Sequence, residues 1–225
     1  MSVKIKGVIF DMDGLLIDSE PFWLQADVEI YESLGIDLKK HLKGETTGLR
    51  VDAAVQHWYQ KFPWEGRSLA DVQKDILSRV EELIEQEGVA KEGALELITA
   101  LHEAKIPLAV CSSSPSHLIR VALKKIRVLS YFSVIHSAEH ETHGKPHPAA
   151  YLMTANLLEI APTELLVFED SVIGAIAAKA ARMLVVAVPE VQNIHSTRYD
   201  FCEQKISSLK EFDLKHFLAE RALKI

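Results

Sequence analysis

Val8-Ile9-Phe10-Asp11-Met12-Asp13-Gly14 decides how this chain is read: an apolar run short enough for a buried strand ends abruptly in two carboxylates and a glycine. The carboxyl ends of strands are where open α/β sheets place their sites. Standing alone, the segment reads equally well as an Asp-Gly turn after a strand. Working outward, the runs at 107–111, 134–136, 165–168 and 184–188 have the same apolar character. Between these later runs lie 116–125, 148–158 and 171–180, each long enough for a crossover helix returning to a parallel strand. The fold class is therefore α/β, a doubly wound parallel sheet.

The gap between the first and second runs is far longer than one crossover needs. Within it Trp23, Ala26, Ile30 and Leu34 recur at helical spacing and end in Gly35, and Leu69, Val72, Ile76, Val80 and Leu83 do the same before Gly88. An all-helical cap is expected at 18–86, with 1–17 and 87–225 forming the α/β core. A core helix is expected over 94–104, and a terminal helix docked on the core over 208–223.

With 225 residues, 48% of them hydrophobic and 25% charged, the chain has the composition of a folded globular protein. Its net charge of −7 gives no overall attraction to nucleic acid or to an anionic membrane, so an anionic substrate needs a local positive site. Cys111 and Cys202 are too few for a disulfide framework. No run approaches a membrane span, and the first apolar stretch is too short for a signal peptide. The expectation is a cytoplasmic monomer with its native start.

Three further strand ends or turns carry chemistry. Cys111-Ser112-Ser113-Ser114 offers hydroxyls and backbone N–H groups ahead of a helix, an anion cradle that in isolation is also a simple N-cap. Glu169-Asp170-Ser171 places acidic residues at another strand end, where a helix start favours them anyway. Lys145 lies in Gly144-Lys145-Pro146-His147-Pro148, a turn stiffened by two prolines. Taken together they describe a hard-cation site beside an anion site, as Mg²⁺-assisted phosphoryl transfer requires.

These segments, in this order, resemble the motifs of the haloacid dehalogenase superfamily of aspartyl phosphotransferases. Phe10 to Pro21, with Gly48-Leu49-Arg50 and a helical insertion after the first motif, is most similar to the β-phosphoglucomutase-like branch. Within that branch it looks most like bacterial sugar phosphatases acting on 2-deoxyglucose 6-phosphate and hexitol phosphates. Glu92-Gly93-Ala94 and Ala181-Arg182-Met183 depart from the branch's usual Pro-Gly-Val and Ala-Gly-Met, away from the catalytic positions.

The resemblance implies strand order 5-4-1-2-3 and a Mg²⁺-dependent sugar phosphatase. In that scheme Asp11 is the nucleophile and Asp13 the general acid and base. Ser112, Ser113 and Lys145 hold the phosphoryl oxygens, while Asp11, Asp13, Asp170 and Glu169 form the metal site, Glu169 more as an orienting group than a ligand. Glu20, Thr47, Gly48 and Arg50 are the expected cap contacts to substrate.

Other features carry less. His136, His140, His143 and His147 have helical spacing that Gly144 and Pro146 interrupt, against a zinc site. Cys111 reads as a small buried residue, and Trp58 and Trp64 read as helix packing before a sugar platform. A sugar phosphomutase using the same residues, and a non-catalytic sugar-phosphate or protein-binding module, remain as alternatives.

Overall fold

The computed structural model describes residues 4–41 and 45–220. Its centre is a parallel sheet of β1 (Gly7–Phe10), β2 (Leu108–Ser112), β3 (Val134–Ser137), β4 (Leu165–Glu169), β5 (Leu184–Ala187) and β6 (Gln204–Lys205), in the order β3-β2-β1-β4-β5-β6. The first five strands stand in the expected order. The two-residue β6, which pairs with β5 through Val186 and Ala187, was not expected from the sequence because so short a polar segment carries no strand pattern.

Alternation along the strands sorts the core into two layers. Val8, Phe10, Leu108, Val110, Leu166 and Phe168 face one side, packing with α4 (Ala94–Glu103), α5 (Ser116–Lys125) and the inserted cap. Ile9, Ala109, Cys111, Val167 and Val185 face the other, against α6 (Ala149–Leu158) and α7 (Val172–Ala180). On that side Ala150, Ala155, Ala175, Ala177 and Ala178 let the helices approach closely. The register sets Phe10 beside both Val110 and Phe168, so strands 1, 2 and 4 end at one level. The tail contributes α8 (Leu214–Glu220), with Phe217 buried; the last three positions of the helix expected over 208–223 lie outside the described residues.

The insertion is helical: α1 (Glu20–Ser33), α2 (Val51–Lys61) and α3 (Leu69–Glu87). Gly35 follows α1 with φ +80°, the left-handed conformation a glycine adopts without strain. Ser68 and Asp71 form a reciprocal capping box at the start of α3. Tyr31, Trp58 and Trp64 meet edge to face inside the cap, with centroid separations of 6.4 and 5.8 Å. The two connections to the core run side by side: Ile17 bridges Ala90, Asp18 N donates to the Val89 carbonyl and Lys91 N to that of Leu16. Among the described residues no helix is long and apolar enough to cross a membrane.

Candidate active site

The ends of β1, β2 and β4 and the turn before α6 converge on Lys145, which is 4% exposed. Its ammonium donates to Asp11 Oδ1 at 2.7 Å, to Glu169 Oε1 at 2.6 Å and to the Cys111 carbonyl at 3.1 Å, and lies 4.9 Å from the centre of the Tyr151 ring. Burial works against this charge, but Asp11 and Glu169 outweigh it and hold the lysine well above its ordinary pKa. A buried cation so placed is the local positive site that the acidic chain needs to receive an anion.

Glu169 is fully buried and fully engaged. Its Oε1 also accepts from the Tyr151 hydroxyl at 2.8 Å, and its Oε2 from the Ser171 N–H at 3.1 Å and hydroxyl at 3.0 Å. The carboxylate lies so close to α7 that a Cβ at Gly174 would stand 1.7 Å from Oε1. Glycine is required there for this approach. Glu169 thus faces protein donors on both oxygens and holds Lys145 in place.

Asp170 differs from its neighbour. It is 6% exposed, yet its carboxyl accepts no hydrogen bond among the described residues. Burial first, then the charges of Glu169 and Asp11, push its pKa well above the carboxylate range. The Tyr199 hydroxyl steadies its backbone carbonyl at 2.7 Å, and Gly14, at φ +71°, gives its side chain room. Burial likewise pushes the Asp11 carboxyl up, against the pull of Lys145.

Asp11, Glu169 and Asp170 bring one carboxylate oxygen each within 4.8 Å of one another. Three buried carboxylates against one ammonium leave a deficit of positive charge, and Asp170 is left without a donor. A hard divalent cation preferring oxygen ligands fits both conditions.

Asp13 belongs to a separate network that joins core and cap. Its Oδ1 accepts from the Ser19 hydroxyl at 2.7 Å and the Trp23 indole at 3.0 Å, its Oδ2 from the hydroxyls of Ser114 at 2.7 Å and Ser112 at 3.3 Å. Ser19 is the N-cap residue of α1 but makes no side-chain cap, its hydroxyl being committed to Asp13. Trp23, Ser19 and Ser114 were not picked out as site residues, and neither were Tyr151, Ser171 and Gly174. The signal available was a glycine inside an alanine-rich helix just after an acidic strand end.

A cavity of about 690 Å³ opens above these residues. Asp11, Asp13, Ser112, Ser113, Lys145 and Asp170 line its floor, and Glu20, Thr47 and Gly48 line it from the cap side. The Ser113 hydroxyl reaches across to the Gly48 carbonyl at 2.8 Å, so the cap loop rests on the end of β2.

Arg50 departs from the expectation of a substrate contact. It does not line the cavity. Its Nε and Nη2 fork onto Asp52 at 3.0 and 2.6 Å, and its Nη1 donates to the carbonyls of Ala138 at 3.0 Å and Glu141 at 2.7 Å. These bonds tie the start of α2 to the chain beyond β3.

Among the described residues Asp11, Glu169 and Asp170 are the one acidic or histidine-containing group with metal-site geometry, so the histidine series does not assemble a second. Burial pushes the Cys111 thiol up to about 12, which leaves it inert near neutrality. Trp58 and Trp64 are packed in the cap, though Trp58 also lines the cavity.

Hexitol phosphatase B of Escherichia coli is 38% identical over 218 residues, covering 96% of this chain and 97% of that protein. CbbY of Rhodobacter sphaeroides, crystallised with xylulose 1,5-bisphosphate, superimposes with a TM-score of 0.84 at 22% identity, over 93% of this chain and 96% of the other. β-Phosphoglucomutase of Clostridium difficile gives 0.82 at 20% identity, over 96% and 97%. At such identities these two structures attest the fold. Residues 5–182 match the model of the haloacid dehalogenase-like hydrolases. With that match spanning the first four strands, the cap and the carboxylate cluster, the chain belongs to the haloacid dehalogenase-like hydrolase family and is an enzyme with the aspartate-bearing core of its phosphatases.

Proposed function

We propose that the protein is a cytoplasmic, monomeric phosphatase that hydrolyses monophosphate esters of small sugars, namely hexose, 2-deoxyhexose or hexitol phosphates, through an aspartyl phosphate on Asp11. The observation that carries this reading is the Asp11 carboxylate, held by Lys145 at the floor of a sugar-sized cavity beside the unpartnered Asp170. The extended similarity to hexitol phosphatase B supports the substrate class.

Asp11 attacks phosphorus; the new bond runs from its carboxylate oxygen to phosphorus as the bond to the ester oxygen breaks. Asp13 gives a proton to the departing alkoxide, then takes one from the water that attacks the aspartyl phosphate and frees inorganic phosphate. Lys145, the Ser112 hydroxyl and the Ser113 N–H hold the phosphoryl oxygens. Glu169 keeps the ammonium aimed at Asp11. Mg²⁺ held by Asp11, Asp170 and the Asp13 carbonyl would supply the positive charge that lets an anionic nucleophile approach an anionic ester. The cap over 18–86 excludes water from the first step and reads the leaving group, with Glu20, Thr47 and Gly48 at its inner surface.

The test is phosphate release across a panel of hexose, deoxyhexose and hexitol phosphates, with Mg²⁺, with chelator, and with Asp11→Asn. Expected are metal-dependent release and a loss of about a thousandfold or more in the variant. Activity retained by Asp11→Asn overturns the assignment of the nucleophile. Phosphate migration on the sugar without release identifies a mutase, and binding without turnover a non-catalytic module.

A further inference from the structure

We infer that the cap side of the cavity selects an uncharged, hydroxyl-rich leaving group and rejects a sugar carrying a second phosphate, with Glu20 and Asp27 as the deciding residues. This rests on the phosphatase reading and names the substrate class within it.

Among the described residues two cations line the cavity, and each is already committed. Lys145 is buried in the floor on Asp11 and Glu169. Lys91, at the far end, donates to Glu190 at 2.9 Å and to Asp18 at 3.4 Å. Arg50 points out of the cavity onto Asp52 and the carbonyls near β3. Beyond the phosphoryl site the described lining therefore carries Asp18, Glu20, Asp27 and Glu190 against Lys91. A second phosphate would bring about two negative charges into this region and find, among the described residues, no cation that is not already ion-paired.

Glu20 and Asp27 are seven residues apart on α1, two helical turns, which places both on the face toward the cavity. Neither accepts a hydrogen bond among the described residues. Trp58, which is 1% exposed, also lines the cavity, while its indole N–H is buried and has no partner among the described residues. The two carboxylates are the open valences that face a ligand, and they accept. A hydroxyl satisfies them because it donates, whereas a phosphate dianion only accepts. A polyol chain is the leaving group that leaves fewest of these groups unpaired on binding.

Glucose 6-phosphate and glucose 1,6-bisphosphate present the same ester with and without a second anion. Their kcat/KM values, measured on wild type, Glu20→Gln and Asp27→Asn at one pH, test the inference, with melting curves to establish that each variant is folded. Wild type is expected to favour the monophosphate by about a hundredfold, and each variant to narrow that ratio by about tenfold. Equal kcat/KM values in wild type, or an unchanged ratio in both folded variants, overturn the selectivity claim while leaving the phosphatase reading intact. No metal-dependent turnover of any monophosphate by wild type overturns that reading and this one with it.

Discussion

In the α/β core Lys145 and Glu169 are fully paired, the ammonium with three acceptors and Glu169 with donors on both oxygens, and only Asp170 beside them is left for a cation. In the cap the pattern is reversed. Glu20 and Asp27 accept no hydrogen bond among the described residues, and Tyr31 and Trp58 bury polar atoms with no partner. Burial pushes both carboxyls up to about 7, for Glu20 with the nearby charges of Asp13 and Glu190 assisting. The difference teaches a division of labour. A reaction that is the same for every substrate is served by groups locked before the substrate arrives. A leaving group must be recognised by groups that are still free to bond with it.

The comparison is broken most severely at its paired end. Lys145→Met would leave Asp11 and Glu169 as buried carboxylates facing one another, with side-chain exposures of 9% and 0%. Removing one partner of a buried ion pair costs about 3–5 kcal/mol, so the variant should unfold at markedly lower denaturant and release no phosphate. Denaturation curves and the phosphate assay read both effects. A variant as stable as wild type would mean that the core does not depend on this pairing.

Between the two regions stands Arg50, whose bonds to the Ala138 and Glu141 carbonyls hold cap against core. Arg50→Ala should leave the denaturation midpoint nearly unchanged, since the sheet and its helices are untouched. It should raise amide exchange across 46–51 and lower kcat/KM by about tenfold as the cap spends less time closed. Unchanged exchange in that segment would show that Arg50 is not what seats the cap.

The sheet was legible in the sequence because buried parallel strands are short unbroken apolar runs, and 165–168 or 184–188 admit few other readings. Its reactive groups were legible because they stand at the ends of those runs. Lys145 was picked out by its stiff turn, and its partners Asp11 and Glu169 by their strand ends. The supporting groups were hidden for physical reasons. Tyr151 and Gly174 meet Glu169 only after two helices pack on one face of the sheet. Ser19 looks like any helix cap until its hydroxyl is seen to serve Asp13. Arg50 was legible as a basic residue beside a Gly-containing loop, but its contacts with Asp52 and two backbone carbonyls form only once the cap packs on the core. The α2 helix falls within the helical cap expected over 18–86 and carries the Trp58 read as helix packing, but its own stripe of Val51, Val55 and Trp58 was not singled out.

The smallest expected effect sharpens the comparison from the unpaired end. Asp27 has an ordinary pKa of 3.8 when unfolded and about 7 in the folded protein, because burial disfavours its charge. Below about pH 4 the carboxyl is protonated in both states and makes no difference to stability. Between about 4 and 7 the unfolded chain releases the proton that the folded one retains, so stability falls as pH rises, and the loss is complete above about 7. Asp27→Asn removes the titrating group. It should leave the melting temperature unchanged near pH 4 and raise it by about 2–4 °C near pH 8, a gain held down by the residue's partial exposure. Equal shifts at the two pH values would show that Asp27 already has a partner in the folded protein. A carboxylate that lowers the stability of the empty cavity while sharpening its choice of substrate is the opposite of Lys145, whose pairing supports fold and reaction together.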